Sequence, residues 1–242
     1  MQQTIRLVSM NICLERVRGI SFDAAFTLLQ PHPSVGHVYA RIIHEQGYGN
    51  LEPSVVNRGF AKSWKGRRDF DYSEAHWFKL VEQTLEGLLT RSLDEQLFRH
   101  LYDGFRDPAC WLVYEDVRPS LKYFRERGME MVVTSNWDTR LRQLLRDLDL
   151  DGYFREIIVS AEVGFYKPDP RIFQVSCDKL GCRPQEALHV GDTPEEDMEG
   201  AKQGGLQGLL INRSAAESTE TEIRSLENLT ELFKSGKVNK SG

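Results

Sequence analysis

The stretch Arg18-Gly-Ile-Ser-Phe-Asp-Ala-Ala-Phe-Thr-Leu-Leu29 decides the fold class of this sequence. Residues 17–22 are predicted to form a short strand, because apolar side chains alternate around Ser21. The strand ends in a carboxylate, Asp23, and the two alanines that follow leave room for the backbone to turn around a ligand. In an open α/β sheet, ligands bind beyond the carboxyl ends of the strands. Asp23 is therefore placed to act as a nucleophile or a cation ligand, although a carboxylate here also suits a simple turn cap.

Composition limits the class of protein. The chain has 242 residues and a net charge of −5, which fits one large domain or a core domain with a smaller second one. No basic stripe is long enough to indicate nucleic-acid binding, and no apolar run approaches the ~20 residues of a membrane span. The first residues lack the features of a secretory signal, and the four cysteines show no CxxC spacing. We therefore expect a cytoplasmic protein with reduced thiols, and neither a nucleic-acid nor a membrane partner.

Strands and helices alternate along most of the chain. Four further strands are predicted, at residues 129–134, 156–160, 187–190 and 208–211. Helices are predicted between them, at residues 139–148, 170–180 and 197–204. This alternation is typical of right-handed parallel crossovers. The predicted fold class is α/β, with a Rossmann-like three-layer core around a parallel sheet.

Residues 34–106 interrupt this alternation. They are predicted to form four helices and no strand, with Ser34 and Ser73 at the starts of two of them. A helical block inserted into a strand–helix alternation is expected to form an inserted all-helical domain. The predicted division is an α/β core at residues 1–31 and 107–242 and a helical cap at residues 32–106.

Polar residues follow four of the predicted strands or the loops next to them. Each has a purely structural explanation: Ser135 suits a helix cap, Lys167 a solvated loop, and Asp197 a first helical turn. All of them are nevertheless expected at one edge of one sheet, where a shared site would form. The residues concerned are Asp23, Ser135, Asn136, Lys167, Asp192 and Asp197.

The chain resembles the haloacid dehalogenase-like hydrolase superfamily from about residue 17 to residue 212. Its four motifs occur in order: Asp23-Ala-Ala-Phe-Thr27-Leu28, Val133-Thr-Ser135-Asn136, Lys167-Pro-Asp-Pro-Arg-Ile-Phe173 and Val190-Gly-Asp192-Thr-Pro-Glu-Glu-Asp197. The helical block lies between the first two motifs, as the family's all-helical cap does. The Ser-Asn-Trp-Asp form of the second motif and the cap spacing of Phe60 and Trp77-Phe78 are most similar to the rhythmically-expressed-gene-2-like branch.

The resemblance implies hydrolysis of a small phosphorylated molecule. Asp23 would attack phosphorus and form an aspartyl-phosphate, Ser135 would donate a hydrogen bond to a phosphate oxygen, and Lys167 would neutralise charge. The implied substrate contacts come from Thr27, Ser135, Asn136 and Lys167. Whether the protein is a monomer or a dimer stays open.

The resemblance also implies a Mg²⁺ cofactor. Asp23 and Asp192 would hold the ion, because hard cations prefer oxygen ligands, and the backbone carbonyl of Ala25 would complete the set. Asp197 would bind the ion through water or orient Lys167.

The sequence departs from the family pattern at Ala25, where most phosphatases of the family carry a second Asp that acts as general acid and base. Such a group contributes ~10²–10⁴ in rate. Three explanations stay open. The substrate has a good leaving group, such as an acyl phosphate; a cap residue (His76, Lys62 or Lys65) supplies the proton; or the site binds and hardly turns over. Phe26, in place of the usual small residue, is a second departure, because it crowds the turn.

Two other reactions of the family are weaker alternatives. Relatives that cleave carbon–phosphorus bonds also carry Ala here and use a cap lysine, for which Lys62 or Lys65 would be needed. Dehalogenation in the family goes with Tyr two residues after the nucleophile, and this sequence has Ala25. Four cap aromatics line the pocket or form helix core, namely Trp64, Phe70, Tyr72 and Trp77.

Overall fold

The computed structural model describes residues 12–67, 70–219 and 221–235. The predicted core residues 1–11 and 236–242 lie outside the described part of the chain. Within it, a six-stranded parallel sheet has the strand order β5-β4-β1-β6-β7-β8. Its strands are β1 Gly19–Phe22, β4 Glu130–Ser135, β5 Glu156–Val159, β6 Ala187–Gly191, β7 Gln207–Ile211 and β8 Glu222–Ile223. A separate antiparallel pair consists of β2 Leu29–Pro31 and β3 Trp111–Val113.

Helices surround the sheet and form the insertion. The helices of the insertion are α1 Val35–Glu45, α2 Pro53–Gly66, α3 Glu74–Leu85 and α4 Glu95–Gly104. The remaining helices are α5 Val117–Glu126, α6 Arg140–Asp147, α7 Ser160–Val163, α8 Pro170–Leu180, α9 Gly200–Gln203 and α10 Leu226–Ser235.

Strand β1 lies in the middle of the sheet, between β4 and β6. It is buried throughout, as expected for a strand covered on both faces. The parallel register sets Phe22 beside Val133 on β4 and Val190 on β6. The residues that follow these three therefore emerge together at the carboxyl edge of the sheet.

The sheet is the middle of three layers. Met131 and Val133 on β4 pack into the cluster that contains α5, α6 and α10. Val132, between them, packs on the opposite face, in the cluster that contains α8 and α9. This alternation is the two-residue period of a strand, and it confirms the predicted Rossmann-like α/β core.

The insertion has an apolar cluster of its own. Side chains from α1, α2, α3 and α4 form it. Ser34 caps α1 and Ser73 caps α3, each accepting a hydrogen bond from the backbone three residues on, as predicted. Gly59 lets α2 approach α3, since a Cβ there would lie 2.5 Å from the carbonyl oxygen of Thr84. The four helices lie between β2 and β3; the division at residues 31/32 and 106/107 stays a prediction.

The five predicted strands are present, with ends shifted by one or two residues. Strands β2, β3 and β8 were not predicted, because two or three residues are too few to show a strand period. The helix predicted at residues 197–204 is different in the structure: Pro194–Glu199 form a π-helical turn, and α9 begins at Gly200. The wider turn accompanies the burial of Asp197, whose carboxylate enters the site described below.

No helix in the described ranges is both long enough and apolar enough to cross a membrane. The four cysteines are unpaired.

Candidate active site

Asp23 follows β1 directly and is held in place by both its backbone and its side chain. Its N–H donates to the carbonyl oxygen of Val190 at 2.9 Å, which continues the pairing of β1 with β6. Its Oδ1 accepts hydrogen bonds from Ser135 Oγ at 2.8 Å and from Lys167 Nζ at 2.7 Å. The carboxylate is buried. Three of the predicted site residues therefore meet at one oxygen atom.

Lys167 bridges two acids. Its Nζ lies 2.7 Å from Asp23 Oδ1 and 2.5 Å from Asp197 Oδ1, and all three side chains are almost fully buried. Burial lowers the pKa of Lys167, but the charges of Asp197 and Asp23 outweigh this effect and raise it above its ordinary value. The lysine is therefore a fixed positive charge at the nucleophile, and not a surface group.

Asp197 holds the lysine from the other side. Its Oδ1 also lies 2.9 Å from His189 Nε2, and its Oδ2 accepts the Thr193 N–H at 2.9 Å. Burial raises the pKa of Asp197, but Lys167 and His189 lower it by more than burial raises it. The net shift of the pKa is downward, so the carboxylate is ionised. A side chain on Gly191 would collide with this carboxylate, which accounts for the glycine before Asp192.

Three carboxylates meet at this edge. Ligand oxygens of Asp23, Asp192 and Asp197 all lie within 4.8 Å of one another. Burial, together with the charges of Asp23 and Asp197, raises the pKa of Asp192 to about 8, and the charge of Lys167 opposes this shift. Burial is also the largest cause of the raised pKa of Asp23. Three acids facing one lysine leave an excess of negative charge, and oxygen ligands of this kind suit a hard divalent cation.

The order of the motifs and the fold now match a known family. A family model described as haloacid dehalogenase-like hydrolase matches residues 17–205. The chain belongs to the haloacid dehalogenase-like hydrolase family. The family predicted from the four motifs is therefore confirmed.

Two curated relatives and one solved structure show the extent of the similarity. The chain is 31% identical over 230 residues to haloacid dehalogenase-like hydrolase domain-containing protein 3 of Danio rerio, covering 89% of this chain and 95% of that protein. It is 30% identical over 223 residues to rhythmically expressed gene 2 protein of Drosophila melanogaster, covering 84% of this chain and 85% of that protein. A HAD phosphatase from Thermococcus onnurineus has a TM-score of 0.64 and 26% identity, covering 90% of this chain and 98% of that one.

In this member of the haloacid dehalogenase-like family, Asn136 fixes the lysine loop. Its Nδ2 donates to the carbonyl oxygen of Lys167 at 2.9 Å, and its Oδ1 accepts the Lys167 N–H at 2.7 Å. The amide thus binds both backbone groups of one residue. Asn136 therefore positions Lys167, and a direct contact of Asn136 with substrate stays a prediction.

Glu196 connects this loop to the helical insertion, which the sequence did not indicate. Its Oε2 accepts a hydrogen bond from Asn136 Nδ2 at 2.9 Å, and its Oε1 lies 2.9 Å from Arg67. Arg67 follows α2, and its guanidinium lies 3.8 Å from the ring centre of Trp64. Burial raises the pKa of Glu196, while Lys167 and Arg67 lower it to a smaller extent. In the sequence, Glu196 is the middle one of three consecutive acidic residues, and this pattern does not predict a contact with the insertion.

A buried polar chain supports the site from beneath. His189 on β6 contacts Ser21 Oγ on β1 through Nδ1 at 2.9 Å, and Ser21 donates to Thr134 Oγ1 at 2.8 Å. Thr134 lies 2.7 Å from Ser176 Oγ on α8, which donates to the carbonyl oxygen of Ile172 at 2.9 Å. The signal for this chain was present in the sequence, because polar side chains occur within three strands that otherwise read as buried.

Thr27 and Ala25 lie in the turn after the nucleophile. Thr27 is fully buried, and its Oγ1 has no hydrogen-bond partner among the described residues. Its carbonyl oxygen accepts a hydrogen bond from Arg213 at 2.5 Å. The substrate contact of Thr27 and the metal contact of the Ala25 carbonyl stay predictions.

A cavity of about 340 Å³ opens from Ala25, Phe26 and Asn136 into the helical insertion. Trp64, Tyr72 and Trp77 line it, whereas Phe70 is not among the lining residues that the structure describes. The proposed proton donors are elsewhere: Lys62 and Lys65 are exposed, and His76 Nδ1 is paired with Asp71. Among the residues with described positions, none of these three lines the cavity.

Proposed function

We propose that this protein is a Mg²⁺-dependent phosphatase-type hydrolase that forms an aspartyl-phosphate at Asp23. The observation that carries the proposal is the bridge that Lys167 makes between Asp23 and Asp197, with Asp192 beside it. Phosphoryl transfer needs a nucleophile and fixed positive charge around the phosphate oxygens, and this edge of the sheet provides a buried carboxylate and a protonated lysine. The phosphatase name of the Thermococcus onnurineus relative supports the reaction class.

The two oxygens of Asp23 differ in their surroundings. Ser135 and Lys167 both donate to Oδ1, and no described residue donates to Oδ2. We assign Oδ2 as the atom that attacks phosphorus, because its lone pairs are free of hydrogen bonds from the described residues. Lys167 then stays in contact with the acid while its charge reaches the transferred group.

Asp23, Asp192 and the carbonyl of Ala25 would hold Mg²⁺, and Asp197 would orient Lys167. When bound, the ion would neutralise charge on the phosphoryl oxygens and favour the ionised form of Asp23. Lys167 occupies Oδ1 of Asp197, and Thr193 donates to its Oδ2. These contacts favour the positioning role of Asp197 over direct metal binding.

The bonds of the reaction balance without an acid at position 25. Oδ2 of Asp23 forms a bond to phosphorus, the bond from phosphorus to the leaving oxygen breaks, and the electron pair leaves with that oxygen. Water then attacks phosphorus, releases phosphate and restores the Asp23 carboxylate. Because Ala25 has no proton to give and His76, Lys62 and Lys65 do not line the described cavity wall, the leaving group must be stable as an anion. Acyl phosphates meet this condition, whereas phosphates of simple alcohols do not.

The rival hypotheses fare less well. The hypothesis of a protein that only binds its ligand is motivated by Ala25, yet Asp23, Lys167 and Asp197 are all present and in contact. Cleavage of carbon–phosphorus bonds through Lys62 or Lys65 is opposed by the exposure of both lysines. The four unpaired cysteines support the proposed cytoplasmic location.

The test is release of phosphate from acetyl phosphate and p-nitrophenyl phosphate in the presence of Mg²⁺. We expect turnover by the natural protein and none above background by Asp23→Asn, which keeps the size of the side chain. Asp178→Asn is the matched control, because Asp178 is an exposed residue of α8 outside the four motifs. Equal rates for the natural protein and Asp23→Asn would refute the proposal.

A further inference from the structure

The cavity between the sheet edge and the helical insertion is lined mainly by aromatic side chains. Aromatic residues from both parts of the chain line it, namely Phe26, Tyr39, Phe60, Trp64, Tyr72, Trp77, Tyr102, Phe105, Trp111 and Trp137. The rings contact one another: Trp64 stacks on Phe60 and on Trp77, with ring centres 5.8 and 5.9 Å apart. A volume of about 340 Å³ is within the range of small-molecule sites. This wall begins at Ala25, two residues from the nucleophile.

Two of the rings are held in strained backbone. Phe26 has φ 55° and Tyr72 has φ 58°, in the left-handed region that bulky residues rarely adopt. Phe26 is also 50% exposed, so burial in the protein core does not account for its ring. Strained residues of this kind concentrate at ligand sites. Phe26 comes from the turn after the nucleophile and Tyr72 from the insertion, and both line the same cavity.

The wall offers little to a charged or hydroxyl-rich ligand. Arg140 is the only charged residue that lines the cavity within the described ranges. Its guanidinium is already bound to Asp138, with Nε–Oδ1 2.8 Å and Nη2–Oδ2 2.6 Å, and lies 3.5 Å from the ring centre of Tyr102. Trp77 Nε1 is buried and has no hydrogen-bond partner among the described residues, so it is available in the wall as a donor. A ligand with many polar groups would lose its hydrogen bonds to water here.

We propose that this cavity receives an apolar, ring-sized leaving group, and that the substrate is the phosphoric anhydride of an aromatic or similarly apolar carboxylic acid. This inference rests on the proposed phosphatase-type function and names its substrate class. The phosphoryl group bonds to Asp23, and the apolar acid departs as its carboxylate with the electron pair of the broken bond. No proton is required from position 25. A substrate of this class therefore accounts both for the missing acid at Ala25 and for the aromatic wall of the cavity.

The experiment compares benzoyl phosphate with acetyl phosphate. Both release a carboxylic acid of similar acidity, so the chemical step is matched and the difference reports the cavity. We expect kcat/KM for benzoyl phosphate to be higher by at least about 10-fold, since even one methylene in an apolar pocket changes this ratio measurably. Rates measured with Asp23→Asn serve as background for both anhydrides. Asp23-dependent hydrolysis without this preference would overturn the inference and leave the proposed function intact.

Two variants test whether the cavity causes the preference for benzoyl phosphate over acetyl phosphate. Phe26→Asn removes the ring and keeps a residue that tolerates the left-handed backbone. We expect it to reduce the ratio of benzoyl to acetyl hydrolysis by about 10-fold. Leu112→Asn is the control: Leu112 is the other exposed large apolar residue in the described part of the chain, at 41%, and it does not line the cavity. An unchanged ratio in Phe26→Asn would count against the assignment.

Binding provides a readout that does not depend on turnover. All four tryptophans of the chain line the cavity, so intrinsic fluorescence reports its occupation. Benzylphosphonate and methylphosphonate, which carry a carbon–phosphorus bond in place of the labile one, are titrated into the protein with Mg²⁺. We expect at least about 10-fold tighter binding of benzylphosphonate. If neither anhydride is hydrolysed, the proposed function fails, and equal binding of the two phosphonates would overturn the cavity assignment as well.

Discussion

The two sides of the turn at Asp23–Phe26 differ in the residues that line them: one side is charged and the other is aromatic. On one side, the sheet edge brings three carboxylates within 4.8 Å of one another, and a lysine and a hydroxyl contact the Asp23 carboxylate. On the other side, the insertion presents rings, and its one charged wall residue in the described ranges is already paired. Only a few residues of chain separate a charged reaction centre from an apolar cavity.

This difference indicates a division of labour. The charged side depends on positions fixed by strand register, because Asp23, Ser135 and Asp192 lie at the ends of adjacent strands. The apolar side depends on the packing of helices that the sheet does not fix. Changes on the charged side should therefore abolish the reaction, and changes on the apolar side should alter which substrate is used.

The largest effect is expected from Lys167→Gln. It removes the charge between Asp23 and Asp197 and leaves two buried carboxylates facing each other. We expect a loss of ~10³-fold or more in kcat, larger than the loss for one neutral oxyanion donor, together with lower thermal stability. Activity is measured per folded protein, with circular dichroism as the check on folding. Lys179→Gln, at a half-exposed lysine paired with Glu156, is the control and should leave both properties near those of the natural protein.

A smaller effect is expected from pH on the metal-free protein. The pKa of Asp192 is raised to about 8 from 3.8, mainly by burial, so its protonated form is favoured in the folded state. A raised pKa contributes stability that is complete below the unfolded value and is lost as pH rises through the folded value. We therefore expect the melting temperature of the metal-free protein to fall between pH 5 and about pH 8.

Mg²⁺ should oppose this loss, because it binds the ionised carboxylates and competes with the proton. The rise in melting temperature on adding Mg²⁺ should thus be larger at pH 8 than at pH 5, as measured by differential scanning fluorimetry. Asp192→Asn should flatten both the pH dependence and the response to Mg²⁺. A response to Mg²⁺ that is equal at the two pH values would contradict the assignment of a cation to this cluster.

The smallest effect is expected where the two sides meet, at the pair of Arg67 and Glu196. Both side chains are about three-quarters buried, at 23% and 24% exposure. Arg67→Gln removes the ion pair and the contact with Trp64, and we expect KM for benzoyl phosphate to rise about 5-fold, with little change in kcat. Arg183→Gln, at an exposed arginine that pairs with Glu186, is the control and should change neither constant. A fall in kcat with unchanged KM would show that the pair acts on the reaction centre instead of the cavity.

The sequence predicted the charged side far better than the apolar side. Asp23, Ser135, Lys167, Asp192 and Asp197 each follow a strand or lie close to one in the sequence, and parallel strands bring their carboxyl ends together whatever the loops do. Their convergence could therefore be predicted from alternation alone. The family was predicted from the residues of the four motifs and their order, above all from Lys167 followed by Pro-Asp-Pro and from Gly191-Asp192 shortly before Asp197.

Contacts between distant parts of the chain could not be predicted. Glu196 reads as one of three acids on a turn, and its partners Asn136 and Arg67 are 60 and 129 residues away. His189 reads as a residue of a buried strand, and its contact with Asp197 depends on the π-helical turn. The aromatics of the insertion suited either helix core or pocket, and only their packing distinguishes the two.

The hydroxyl groups of Ser21, Thr134 and Ser176 each have only one hydrogen to donate, and this limits which of them can be the donor in each contact. Ser176 gives its one hydroxyl hydrogen to Ile172, so Thr134 must supply the hydrogen between itself and Ser176, and Ser21 the one before. Each hydroxyl in the row is thereby committed as a donor towards α8, and Ser21 has only the lone pairs of its oxygen left to face the ring of His189. A change at Ser176 on the helix would therefore alter the hydrogen-bonding role of Ser21 on the central strand.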